Sequence, residues 1–430
     1  MRWGPSRSEN LRTLPPLGAI RRQTWPPSAT SGRFSRPGCA FNSQHRGRNR
    51  RMDVAEIRDQ IPGLRFGVYL NTGGVGQAPA SVSQAITAGY RLMADGRLSP
   101  IDWYEAMSEA ASEIPAKIAD FFGADSTEIA LTMSTGDGFG MVLGGLRWEP
   151  GDEVLITSEE HPVPLQAVQG LADREGAVIK EVELDHDKDV ILERVERAIT
   201  PRTRLICFSH VTTDSGTLLP AGEICALARA RGILTLWDGC QAVGQLPVDL
   251  HGMGCDFYAT NCYKWLLAPI GTGFLYVRRD AQQALKPLRR PHDPSASARQ
   301  YEMGSPASVL YLGVGASFDF LTCIGGPRAI AAEAGRKAEE LWARLDAISG
   351  VQVVSSRRPE TRSGIVTFAI AGMEGDEVST ALRQRWQIVQ RGTYMTDPTG
   401  VRISVAFYTS DAELDTLVEA VTTLAGEAKR

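Results

Sequence analysis

No apolar run in this 430-residue chain approaches the roughly 20 residues that a membrane-spanning helix needs, so a soluble protein with no membrane partner is expected. The seven cysteines, at 39, 207, 225, 240, 255, 262 and 323, form no CxxC pair and lie mostly in apolar stretches, which reads as reduced core thiols of a cytoplasmic protein. The six histidines are scattered and none stands at ligand spacing from another, so no metal site is expected. No G-x-G-x-x-G follows a strand-like run, which argues against hydride transfer. Residues 1–51 lack lysine and hold a single acid, Glu9, against eleven arginines. That head is +10, and because the whole chain is −4 the remainder is −14. A body this acidic argues against nucleic acid as a partner.

The head is rich in Arg, Ser and Pro without a sustained apolar period, and is expected to be disordered. It resembles a mitochondrial transit segment in composition, but its prolines interrupt any amphipathic helix; an extension ahead of a start at Met52 is the alternative. The sequence divides into this head (1–51), an N-terminal arm (52–80), a large domain (81–300) and a smaller C-terminal domain (301–430). Between about Ser81 and Val277, helical periods alternate with seven β-branched runs: EIALTM, EVLITS, VIKEVEL, RLICFSH, LTLWDG, FYATN and GTGFLYV. That alternation predicts an α/β fold with a seven-stranded, mostly parallel sheet. Beyond a basic connector, KPLRRPHDPSASARQ, long helices and the strands SGIVTFAI and VRISVAFY predict a smaller α+β unit. Its last helix opens on a capping box, SDAE, with Ser410 as N-cap and Glu413 reaching back.

In open α/β sheets ligands sit at the carboxyl ends of the strands. Here those ends carry Ser134-Thr135-Gly136, Glu160-His161, Ser209-His210, Asp238 and Asn261–Lys264. Lys264 lies between Tyr263 and Trp265, where poor hydration favours the free amine that condenses with an aldehyde. Asp238 ends the preceding run, 26 residues earlier, so an acid and a lysine project from one sheet edge. Ser134, Thr135 and the Gly136 N–H at a helix N-terminus form a phosphate cup. A lysine for an aldehyde, an acid for a pyridinium nitrogen and a phosphate cup together describe pyridoxal 5'-phosphate.

With EEHP, RLICFSHVTTDSG, DGCQAVGQLPVD, DFYATNCYKWL and YEMGSPAS in this order, the chain from about Tyr69 onward resembles the fold-type I pyridoxal-phosphate enzymes of aminotransferase class V. Within that class it is most similar to cysteine/cystine C–S lyases and isopenicillin N epimerase-like proteins, which share a YxNxGG opening, here YLNTGG. The resemblance implies that Lys264 carries the cofactor and shuttles the proton at the substrate Cα. It implies that Asp238 keeps the pyridine nitrogen protonated, that His161 stacks on the ring and that Gln241 bonds its phenolic oxygen. Thr135, Gly136, Asn261 and Tyr263 would hold the phosphate, joined by Ser305 from a second subunit of a homodimer whose sites lie at the interface. Arg402 would fork onto the carboxylate of an amino-acid substrate, with Asn71 and Thr213 nearby.

The departures from the family bear on the reaction. Tyr263 stands where the family has histidine, and Thr213 where desulfurase relatives have asparagine. The desulfurase loop carries a nucleophilic cysteine, whereas VQRGTYMTDPTG has none and places Met395 about there. A lyase that removes the Cα proton and expels a β-sulfur is therefore the leading expectation. Epimerase or aminotransferase activity, sharing the same Cα carbanion, and a catalytically silent scaffold are the alternatives.

Overall fold

The computed structural model describes residues 53–290, 297–304 and 307–429. The basic head, the middle of the connector and Ser305 lie outside the described residues. A short first strand, β1 (Val68–Tyr69), precedes the seven strands of the main sheet. These are β2 (Ile129–Thr132), β3 (Glu153–Thr157), β4 (Val178–Val182), β5 (Thr203–Ser209), β6 (Leu234–Asp238), β7 (Phe257–Asn261) and β8 (Gly273–Val277), which coincide with the seven runs read from sequence. Their order across the sheet is β2-β8-β7-β6-β5-β3-β4. β8 runs antiparallel to both neighbours, and the other pairings are parallel.

A mostly parallel sheet is covered on both faces, so its strands are continuously apolar rather than alternating; every residue of β7 and β8 is buried. On one face, Phe139 and Val142 of helix Thr135–Gly145 and Val168 and Leu171 of helix Pro162–Glu175 pack on Val154, Leu205, Leu236 and Leu275. The second of these helices is bounded locally. Pro162 occupies its first position, where a missing N–H costs nothing, and Gly176 closes it at φ 69°.

The C-terminal strands are β9 (Val351–Val353), β10 (Ile365–Ile370), β11 (Ile388–Val389), β12 (Arg391–Gly392) and β13 (Val401–Ser404). Four of them form an antiparallel sheet in the order β12-β13-β10-β9. The N-terminal arm joins this sheet: β1 pairs in parallel with β11, and Leu70 is buried among Val366, Phe368, Ile403 and Leu417. From there the arm crosses to the main sheet, where the Gly76 N–H donates to the Tyr263 carbonyl at 2.8 Å. The expected capping box forms at Ser410, whose hydroxyl accepts the Glu413 N–H. Helix Ser308–Cys323 packs against helices Ala80–Ala94, Pro100–Ala111 and Ile114–Phe122. Cys207, Cys225, Cys240, Cys255 and Cys262 are buried free thiols. Cys323 is disulfide-bonded, which corrects the expectation that every cysteine is reduced. Among the described residues no single helix is long and apolar enough to cross a membrane.

Candidate active site

Lys264 sits in the turn between β7 and β8. The turn is closed by the Leu267 N–H on the Lys264 carbonyl and by the Ala268 N–H on the Cys262 carbonyl, both at 3.0 Å. It holds Leu267 at φ 56°, a left-handed conformation that costs a branched residue about 1–2 kcal/mol and persists where the surroundings over-determine it. Part of that support is the arm. A Cβ at Gly76 would stand 2.0 Å from the Lys264 carbonyl oxygen, so only glycine lets the backbones approach this closely. Lys264 is 7% exposed and opens onto a cavity of about 230 Å³. The two flanking aromatics do different things: Tyr263 lines the cavity, while Trp265 is buried and donates its indole N–H to Gln241 Oε1 at 2.8 Å.

Asp238 ends β6 on the cavity wall at 4% exposure, with Oδ1 accepting the Cys240 N–H at 2.9 Å. His161 is the N-cap of helix Pro162–Glu175, and its Nδ1 accepts the Val163 N–H at 3.2 Å. An accepting Nδ1 places the ring proton on Nε2. Burial, and then the Lys264 charge, lower the imidazolium pKa below its ordinary value, so the ring is held neutral. Immediately before it, Glu160 is buried and accepts from Thr157 Oγ1, Ser209 Oγ and the Ser209 N–H, tying the end of β3 to the end of β5. Burial raises its carboxyl pKa to about 7.

The expected cup forms at the mouth of helix Thr135–Gly145, where Ser134, Thr135 and Gly136 line the cavity. Its hydroxyls are already engaged. Ser134 Oγ accepts the Asp137 N–H at 3.2 Å as N-cap, and Thr135 Oγ1 lies 2.5 Å from Cys240 Sγ. Asn261 Nδ2 donates to the same sulfur at 2.9 Å, and its Oδ1 is buried without a partner. Gln241 is also fixed at both ends: its Nε2 donates to the Gly73 carbonyl at 2.9 Å and to Thr213 Oγ1 at 3.4 Å.

Arg402 lies behind the cavity wall at 0% exposure rather than on it. Its Nη1 donates to the Thr213 carbonyl at 3.0 Å and to Thr213 Oγ1 at 3.2 Å, and its Nη2 donates to Asn71 Oδ1 at 3.0 Å. The Nε N–H is buried without a partner, so that group and one Nη2 N–H remain to be offered. Burial, and then the neighbouring Arg391, lower its pKa to about 9. Among the other residues that line the cavity, Gly73, Cys240 and Arg391 were not expected. The signal for Gly73 was present in YLNTGG: a Cβ there would meet Gln241 Oε1 at 2.8 Å and Ser404 Oγ at 2.9 Å. Ser305 lies outside the described residues.

These residues fit pyridoxal phosphate. A buried carboxylate and an amine with no ion pair among the described residues line one cavity beside the positive end of an eleven-residue helix. The sequence family described as aminotransferase class-V matches residues 68–417. A probable cysteine desulfurase from Methanothermobacter thermautotrophicus is 30% identical over 87% of this chain and 99% of its own. An isopenicillin N epimerase from Streptomyces clavuligerus is 31% identical over 84% of this chain and 95% of its own. A solved structure described as the cystine C–S lyase C-DES with its reaction product, cysteine persulfide, superposes with a TM-score of 0.77 at 27% identity, covering 84% of this chain and 99% of that one. The chain belongs to the aminotransferase class V family. It has the fold of the type I pyridoxal-phosphate transferases and is a pyridoxal-phosphate-dependent enzyme.

Proposed function

We propose that this enzyme is a C–S lyase, removing the Cα proton of a cysteine- or cystine-like amino acid and expelling its β-sulfur. The observation that carries this reading is that, among the described residues, no usable thiol lines the cavity. The stretch Gln390–Gly400 contains no cysteine. Met395 occupies it, with its N–H bonded to Asp214 Oδ2 at 2.9 Å, and a thioether has no proton to lose. Cys240 does line the cavity, but burial and the Asp238 carboxylate push its thiol up to about 12, leaving no thiolate to take up sulfur.

Bound pyridoxal phosphate supplies an electron sink for the carbanion left when the Cα–H bond breaks. Lys264 would hold the cofactor and then take the proton from Cα. Asp238 would keep a proton on the pyridine nitrogen, and neutral His161 would pack against the ring. Ser134, Thr135, Gly136, Asn261 and Tyr263 would hold the phosphate, and Gln241, whose Nε2 donates to Gly73 and Thr213, would turn one of those N–H groups to the phenolic oxygen. The unengaged Nε and Nη2 N–H groups of Arg402, which lie behind the Thr213 side of the cavity wall, would take the substrate carboxylate once it displaces that wall, with Asn71 and Thr213 fixing the guanidinium. The Cα–H and Cβ–S bonds break, the proton passes to Lys264, and the electron pair leaves with sulfur as thiolate or, from cystine, as persulfide. The remaining three-carbon fragment hydrolyses to pyruvate and ammonia.

Incubation of the holoenzyme with cysteine or cystine should yield pyruvate and ammonia in equal amounts. Stoichiometric alanine, with a persulfide on the protein, would overturn the lyase reading. The 31% identity to an isopenicillin N epimerase supports a second reading, epimerase or aminotransferase action from the same carbanion. Cα–H exchange with solvent, or amino transfer to a keto acid, without pyruvate would select it. In both readings the working unit is a homodimer with the site at the subunit interface. Exposed Met133 and Ile270, beside the cup and the Lys264 turn, suit a covered surface, and sedimentation of the pure protein tests it.

A further inference from the structure

Arg391 lines the cavity, and directly behind that part of the wall lie Arg402, on the adjacent strand, and the buried carboxylate of Asp214. Arg391 of β12 and Arg402 of β13 stand opposite one another in register, and each has a buried Nε N–H without a partner. Two uncompensated guanidiniums at this separation would repel each other and would favour an anion with two charges.

Asp214, in the segment after β5, changes that count. It is fully buried, and its Oδ1 is ion-paired with Arg391 Nη2. Its Oδ2 accepts the N–H groups of Tyr394 at 2.8 Å and Met395 at 2.9 Å, so the same carboxylate pins the loop that follows Arg391. The Arg391 guanidinium also lies over the Tyr394 ring, 4.8 Å from its centroid. Among the described residues Arg402 has no carboxylate partner; its bonds go to the Thr213 carbonyl and hydroxyl and to the Asn71 amide oxygen. At a pKa of about 9, lowered by burial and Arg391 and supported by Asp214, it remains a cation at neutral pH. Arg391, Arg402 and Asp214 therefore sum to a single positive charge.

We infer that Asp214 is a specificity-determining residue: by neutralising Arg391 it leaves one net positive charge at this end of the cavity. That charge matches an amino acid with one carboxylate and a neutral or zwitterionic distal end, and disfavours one carrying an extra negative charge. The inference rests on the reading that the cavity takes an amino acid. Cysteine satisfies it, and so does cystine, whose distal half is a zwitterion.

The test titrates holoenzyme with asparagine and with aspartate, near-isosteres that differ in one distal charge, and reads binding from the change in visible absorbance of the cofactor. No turnover is needed, so a failure of the elimination reading leaves this measurement intact. The unmodified enzyme should bind aspartate about tenfold more weakly than asparagine or worse, the scale of one charge in a partly screened site. Asp214→Asn, whose amide oxygen can still accept from the Tyr394 and Met395 N–H groups, should close or invert that gap. Arg391→Met should weaken both ligands and aspartate more, and the double variant should restore the original ratio. Equal affinities in the unmodified enzyme would overturn the inference. So would an Asp214→Asn effect of equal factor on both ligands, the signature of a merely structural residue. Should that variant fail to fold, an unchanged ratio in Arg391→Met would overturn it equally.

Discussion

The indole N–H of Trp265 is bonded to Gln241 Oε1 at 2.8 Å, one residue beyond Lys264. This bond decides which way the Gln241 amide points, because it assigns the carbonyl end to Trp265 and leaves the NH₂ end for Gly73 and Thr213 on the cavity side. Trp265→Phe keeps most of the buried ring but orphans a buried oxygen, at a cost of about 1–3 kcal/mol. We expect a lower Tm together with faster loss of cofactor on dilution. Unchanged dissociation would show that Gln241 is held by its other contacts.

Lys264→Ala should abolish the visible absorbance that develops when pyridoxal phosphate is added, while far-ultraviolet circular dichroism stays that of the folded enzyme. The lysine lines the cavity and no ion pair among the described residues depends on it. An undiminished band would assign the aldehyde to another amine.

Arg402→Leu should raise KM strongly and leave the cofactor absorbance in place, since a lost charge-assisted fork with its partner left unpaired is worth about 2–4 kcal/mol. Because Thr213 and Asn71 also lose their donor, Arg402→Lys is the companion variant, retaining charge without the fork. An unchanged KM in the leucine variant would reassign this arginine to structure.

Glu160 gives the protein a pH-dependent stability. Its carboxyl pKa is raised in the folded state, from 4.5 to about 7, so the folded form binds the proton more tightly than the unfolded one. Its contribution is complete below about pH 4.5 and is lost as pH rises through about 7. Glu160→Gln keeps the shape without the titration, so the Tm difference between variant and parent should move in the variant's favour between pH 5 and about 8. A pH-independent difference would mean that the bonds from Ser209 and Thr157 stabilise the carboxylate as well as its acid.

What was legible in the sequence was mostly local or strand-terminal. The seven apolar runs became the seven strands because a sheet covered on both faces requires continuous apolar segments, a pattern visible without any long-range contact. Lys264, Asp238, His161 and the Ser134–Gly136 segment were found because parallel strands deliver their carboxyl ends to one edge, so a polar residue at a strand end is already placed. The SDAE capping box is shorter in range still.

Tertiary structure decided the rest, where partners are far apart in the chain. Arg391 escaped notice because nothing in VQRGTYMTDPTG says that its strand pairs with Val401–Ser404 and sets it opposite Arg402. Asp214 was not singled out, since its partners lie 177 to 181 residues away. Arg402 was identified, but not its complete burial or the two bonds it gives to Thr213, which depend on the segment after β5 meeting the small sheet. The sequence alone determined which residue types stand at which strand ends, because period and position along a strand are properties of one segment. Only the packing of the arm and the two sheets decided how many charges the cavity presents, because charge compensation depends on distances between segments that no local pattern encodes.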